Sequence, residues 1–133
     1  MALRSTKLAV VPLIALFAGA ATTPNAPPSR FGAISYSTTT RLHGAAQDFL
    51  SERDAVIRSL NACEAQAKSG DCRVLVTFRD GCGALAESPD GAFGSGWGVD
   101  AAKARFYARG VCTDGGGWAC RVTQVICSGI STR

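Results

Sequence analysis

Hydrophobic positions change their spacing several times along the chain. Leu8 to Phe17 is a continuous apolar run, interrupted only by Pro12. Phe31 to Ser37 mixes aromatic and β-branched residues with small ones, which predicts a strand. From Ser51 onward Val56, Ile57, Leu60 and Cys63 recur at helical spacing and predict a helix with those residues on its apolar face. Ser51, with Asp54 three residues later, has the spacing of a capping box, and Ser69-Gly70 marks the end of the helical region. Arg73 to Phe78 (RVLVTF) is a β-rich run. The turn signal Asp80-Gly81 after it predicts a hairpin with Gly83 to Ala86. Further on, Asp100 is placed to cap a second helix from Ala101 to about Val111. Its apolar face (Ala101, Ala104, Ala108, Val111) is thin, with Phe106 or Tyr107 adding bulk, and Gly110 costs it about 1 kcal/mol against alanine. Arg121 to Ile126 (RVTQVI) closes the series as a strand.

The order of these signals occurs twice. Phe31-Gly-Ala-Ile-Ser35 matches Cys82-Gly-Ala-Leu-Ala86. The stretch from Asp54-Ala55 to Ala62-Cys63 matches that from Lys103-Ala104 to Val111-Cys112. Cys72-Arg73-Val74 matches Cys120-Arg121-Val122. A duplicated strand–helix–strand unit follows, spanning about 31–79 and 82–128. Two copies are too few for a solenoid. The predicted architecture is therefore α+β, with two pseudo-symmetric repeats packed as one small domain over residues 31–133.

The first residues look like an address rather than a fold. Arg4 and Lys7 precede the apolar run, and Ala18-Gly19-Ala20 supplies small residues at the positions a signal peptidase reads. This is the pattern of a secretory signal peptide over residues 1–20. The run is too short for the roughly 20 residues of a spanning helix, so no membrane span is expected in the mature protein. Residues 21–30 (ATTPNAPPSR) hold three prolines and no large apolar side chain, and read as a disordered linker. The whole chain of 133 residues has 14 basic and 10 acidic side chains, a net charge of +4; losing Arg4 and Lys7 leaves 12 against 10, or +2. So mild a balance does not announce a nucleic-acid partner.

Cys63, Cys72, Cys82, Cys112, Cys120 and Cys127 make an even set in a short exported chain, which implies disulfides. A zinc site is the competing reading, but C-x₂-C pairs are missing and His43, the single histidine, lies outside the cluster. No metal and no cofactor is expected. Six thiols allow 15 pairings. The repeat narrows them: in each copy one cysteine falls at the helix end and the next at the start of the following strand, giving Cys63–Cys72 and Cys112–Cys120. Cys82 and Cys127 remain, as a pair expected to join the two copies.

Taken together, GAIS-Y, A-x₃-[SA]-x₃-C, C-R-V, C-GALA and the second A-x₃-A-x₃-C with its C-x-V…C resemble the bacterial family called domain of unknown function 4189, from about Phe31 to Ser128. The resemblance implies a small exported bacterial protein with disulfides, and carries no assigned reaction, cofactor or catalytic residue. Arg109 stands where the pattern leads one to expect leucine.

The chain offers little for catalysis. His43 lies in a polar stretch read as a loop, and no nucleophile-elbow motif accompanies it. Glu52 and Asp54 read as helix N-terminal charges, Asp71, Asp80, Asp90 and Asp114 as turn residues, and Glu64 and Glu87 show no evident partner. Gly91 to Gly98 (GAFGSGWG) fails both phosphate-loop registers and reads as a glycine-rich loop. Phe93 and Trp97 within it, and Trp118 after Gly115-Gly116-Gly117, are the candidates for partner contact; the competing reading has the tryptophans covering a core short of large residues. Arginine outnumbers lysine, and Arg53, Arg58, Arg105 and Arg109 lie on the predicted helices, as a solvated face or an anionic-polymer site. The expectation is a non-enzymatic binding module meeting an extracellular protein or envelope component. An inhibitor of a foreign hydrolase, inserting the Phe93–Trp97 loop, is the alternative; a small hydrolase built on His43 ranks last.

Overall fold

The computed structural model describes Gly19 and residues 26–129. Apart from Gly19, the signal-peptide reading lies outside the described residues, as do residues 21–25 of the proposed linker. Ala26, Pro27 and Pro28 are exposed, but the chain is already fastened at Arg30. The Arg30 N–H donates to Asp80 Oδ1 at 2.8 Å, and the Arg30 carbonyl accepts from the Asp80 N–H at 2.9 Å. Arg30 therefore belongs to the fold rather than to the predicted linker, held by the turn residue of a distant segment.

Each half of the chain forms a three-stranded antiparallel sheet with one helix. The first half runs β1 (Phe31–Tyr36), β2 (His43–Phe49), α1 (Glu52–Ala67) and β3 (Arg73–Arg79), with sheet order β2-β1-β3. The second runs β4 (Cys82–Glu87), β5 (Phe93–Gly98), α2 (Ala101–Asp114) and β6 (Arg121–Cys127), with order β5-β4-β6. The duplication extends to an irregularity. The register shifts between Ile34 and Ser35 where β1 meets β3, and between Leu85 and Ala86, the equivalent place, where β4 meets β6.

Three buried clusters define a helix–sheet–sheet–helix stack. Ala33, Ala46 and Ala55 lie between the first sheet and α1, and Ala84, Ala86, Ala104 and Ala108 between the second sheet and α2. Ile34, Tyr36, Val76, Phe78 and Leu85, with Phe93 and Ile126 against them, fill the space between the sheets. Burial on both faces makes β1 and β4 near-continuous buried runs rather than alternating ones. Phe78 fits there because Gly32 and Gly83 make room: a Cβ at either would come within 2.5 Å of its ring.

The helices lie so close to their sheets that only small residues fit between. A Cβ on Gly44 would stand 2.2 Å from the Ser59 carbonyl oxygen, and one on Gly94 2.2 Å from the Cys112 nitrogen. This corrects the predicted helix faces in part: Cys63, Ala104 and Ala108 are buried as expected, and the larger apolar residues are not. The buried stripes are Ala55, Ser59 and Cys63 on α1 and Ala104, Ala108 and Cys112 on α2. Val56 and Leu60 are only half-buried, and Ile57, Phe106, Tyr107 and Val111 are exposed. The predicted caps are in place. Ser51 Oγ accepts from the Asp54 N–H at 3.1 Å, and Asp100 Oδ1 from the Lys103 N–H at 2.8 Å.

Two strands were absent from the sequence reading. His43 to Phe49 (HGAAQDF) forms β2, and the supposed glycine-rich loop forms β5, paired with β4 from Glu87↔Phe93 to Cys82↔Gly98. Gly44, Gly94, Gly96 and Gly98 lower strand propensity but face the helices, where size is the constraint. Nor is Asp80-Gly81 a hairpin turn: β3 pairs with β1 and β4 with β5 and β6, so the chain passes there from one sheet to the other.

The disulfides are Cys63–Cys72, Cys112–Cys120 and Cys82–Cys127, the three predicted pairs. The role predicted for the third is corrected. Cys82 and Cys127 face each other across neighbouring strands β4 and β6, so the bond closes the second copy on itself instead of joining the two.

Candidate functional site

On β5 the positions Gly94, Gly96 and Gly98 face α2, which places Phe93, Ser95 and Trp97 on the opposite face. Phe93 is half-buried, its ring centroid 4.8 Å from that of Tyr36, and belongs to the cluster between the sheets. The Ser95 hydroxyl donates to the Leu75 carbonyl at 3.3 Å, linking the two copies. Trp97, at the end of the strand, has only part of this cover and is 57% exposed. It lines a hollow of about 460 Å³ with Val99, Lys103 and Tyr107, and borders a smaller one beside Glu52, Phe78 and Arg79 of the first copy. Tyr107 meets Phe106 edge-on at 5.5 Å between centroids. An exposed aromatic and apolar surface thus runs from the open edge of β5 onto α2.

Trp118 stands elsewhere, on the loop between α2 and β6, and is 75% exposed. The loop is short and closed by Cys112–Cys120. Gly117 packs against that disulfide, and its N–H donates to the Cys112 carbonyl at 3.0 Å. The ring borders a second hollow of about 460 Å³ with Arg41, Glu87, Pro89 and Arg121. Neither tryptophan covers the core, contrary to that reading of them; the space between the sheets is filled by Phe78, Tyr36 and Ile34 instead.

The strongest polar cluster lies at the end of the first copy. Asp71 accepts from the hydroxyls of Ser37 (2.5 Å), Thr39 (2.8 Å), Thr38 (3.3 Å) and Ser69, and from the Thr39 N–H (3.1 Å). These bonds, that from Ser37 first, hold its carboxyl well below the usual carboxylate range. Glu64, expected to lack a partner, accepts from the Gly70 and Cys72 N–H groups at 2.9 and 2.8 Å. Glu64, Asp71 and Cys72 come close enough to suggest a cation site. However, the Cys72 sulfur is committed to Cys63, and the oxygens of both carboxylates are engaged by the loop around them. The cluster closes the turn between α1 and β3.

Glu87, also expected to be unpartnered, accepts from the Tyr36 hydroxyl at 2.8 Å and lies 3.8 Å from Arg41, whose guanidinium also donates to the Ser88 carbonyl at 2.6 Å. Tyr36 and Glu87 occupy the same place in the two copies. Extending the GAIS/GALA alignment by one residue, to GAISY against GALAE, would have exposed that signal. His43 begins β2 opposite Tyr36, and its carbonyl accepts from Gln66. Among the described residues its imidazole has no hydrogen-bond partner, so neither an acid nor a nucleophile is hydrogen-bonded to it.

The model of the family described as "Domain of unknown function (DUF4189)" matches residues 31–127. The chain belongs to this family. The DUF4189 region coincides with the two sheet-and-helix copies, from the first residue of β1 to the last of β6. The chain is also similar to the NMR structure of Rv1813c from Mycobacterium tuberculosis. The sequence identity is 20%, the coverage 96% of this chain and 99% of that one, and the TM-score 0.56. At that identity the likeness speaks to fold alone. No protein with a curated function matches this DUF4189 chain significantly.

Proposed function

We propose that the DUF4189 domain is an exported, non-enzymatic binding module that meets a protein or envelope component outside the cell. The observation that carries this reading is the exposure of Trp97 beside Val99, Tyr107 and Phe106, in a protein whose own interior is built largely of alanine, glycine and serine. Large aromatics are costly to leave in water and are the residues that dominate binding energy when a partner covers them. The disulfides and the signal-peptide pattern support an oxidising destination. The hydrolase inhibitor loses the flexible loop it required, because Phe93 to Gly98 is a paired strand. The hydrolase reading has only an unoriented His43 to rest on.

Cross-linked capture from envelope and extracellular fractions tests the reading, with the oxidised protein and its Trp97→Ala variant compared side by side. A saturable partner retained by the parent and lost by the variant is expected. Absence of any partner, or equal capture by both, overturns the proposal.

A further inference from the structure

A groove of about 700 Å³ runs along β6, lined by consecutive residues from Cys120 to Val125 and, from α2, by Arg105 and Arg109. Its floor is an edge strand, since β6 pairs with β4 on one side and with no strand on the other. In an antiparallel ladder, alternate residues turn their N–H and C=O away from the partner strand, so this stretch presents a row of backbone donors and acceptors to the groove. Three guanidinium groups border it, those of Arg105, Arg109 and Arg121, with no acidic side chain among the lining residues. Within the described residues none of the three makes an ion pair or a side-chain hydrogen bond. The hollow bordered by Trp118, Pro89, Arg41 and Glu87, the last engaged by Tyr36 and Arg41, shares Arg121 and Thr123 with the groove and continues it.

We infer that β6 is a docking edge for an extended acidic segment of a partner protein. The segment adds as a further strand, sets alternate carboxylates against Arg105 and Arg109 on the α2 side, and turns its intervening apolar residues to the other side, towards Trp118 and the stem of Arg121. The spacing suits that occupant. Arg105 and Arg109 are one helical turn apart, about 6 Å along the axis, and alternate side chains on a strand are separated by about 6.6 Å. A nucleic acid or a sulfated glycan would satisfy the arginines but leave the backbone groups of β6 without partners, whereas a polypeptide satisfies both. The duplication makes the charge specific to this edge. The positions equivalent to Arg105 and Arg109 in α1 are Val56 and Leu60, so the same fold forms without them. This surface is distinct from the Trp97 face, and the inference stands or falls apart from the function proposed above.

The probe is a fluorescent peptide of about eight residues alternating glutamate and valine, titrated into the oxidised protein. Saturable binding is expected, with amide shifts at Thr123, Gln124 and Val125. The double variant Arg105→Glu/Arg109→Glu should weaken it at least about tenfold. N-methylation of alternate peptide amides, which leaves every carboxylate in place, should weaken it to a similar degree. Pairing through the backbone tolerates sequence, so failure of this peptide to bind overturns the inference. So does equal binding of the N-methylated peptide, or tighter binding of a heparin fragment or a single-stranded oligonucleotide, either of which would leave a general polyanion patch. Loss of binding in the Trp97→Ala variant would assign the peptide to the other face and overturn it as well.

Discussion

Asp71 gains most of its hydrogen bonds from residues 32 to 34 positions earlier in the chain, Ser37, Thr38 and Thr39. Those bonds, with that from Ser69, favour the charged form and depress its pKa. A depressed carboxylate pKa adds stability that is fully present above the unfolded-state value, near 3.8. That stability is lost as the pH falls below this value, because the unfolded chain then binds the proton more readily than the folded one. Asp71→Asn should therefore be less stable than the parent at neutral pH in urea unfolding. The difference should shrink as the pH is lowered below about 3.8. A difference independent of pH would mean that the shape of the loop, and not the charge, holds it. The sequence identified Asp71 only as a turn residue. Its partners could not be read because the contact exists only once β1 and β3 are paired.

For the secondary-structure elements, legibility divided along side-chain size. β1, β3 and β6 announce themselves through valine, isoleucine and phenylalanine, and both helices through their caps and cysteines. β2 and β5 do not, because the helix-facing positions Gly44, Gly94 and Gly96 serve close approach and carry no side chain for a pattern to register. The same constraint shifted the helix faces. Cys63, Ala104 and Ala108 are buried as the sequence indicated, but the contact admits Ala55 and Ser59 in place of Val56, Ile57 and Leu60 on α1, and Cys112 in place of Val111 on α2. Two glycines separate the effects of space and propensity. In Gly44→Ala the new methyl group meets helix backbone, which cannot rotate away, and about 1–3 kcal/mol of stability should be lost, or more. Gly110, inside α2, has nothing within 4 Å of a built Cβ, so Gly110→Ala should gain about 0.5–1 kcal/mol from helix propensity alone. Thermal unfolding of both variants checks the pair. A neutral Gly44→Ala would mean that α1 is free to move off its sheet.

Across the whole molecule, no disulfide crosses between the copies: Cys63–Cys72 lies in the first, and Cys112–Cys120 and Cys82–Cys127 in the second. Chain-entropy arithmetic assigns about 2.5–3 kcal/mol to each short loop and about 4 kcal/mol to the long one as upper figures, but all of it acts within a copy. Cohesion between the copies rests on the layer around Ile34, Phe78 and Leu85, and on a few hydrogen bonds, among them Tyr36 to Glu87 and the Asp48 N–H to Ser128 Oγ. The two copies were legible in the sequence. Their stacking was not, because residues facing the helix and residues facing the other sheet alternate along a strand that is buried throughout. A sheet of three strands with one helix leaves a whole apolar face exposed until the second copy covers it, so neither copy should persist alone. Phe78 is the residue on which to test this, since it comes from the first copy yet packs against Gly83 of the second. Phe78→Ala should cost about 3–5 kcal/mol, and hydrogen exchange in the variant should accelerate in β1 and β4 by the same factor. Acceleration confined to β1 and β3, with β4 to β6 still protected, would show instead that the second copy, held by its two disulfides, folds by itself and serves as the template on which the first is completed.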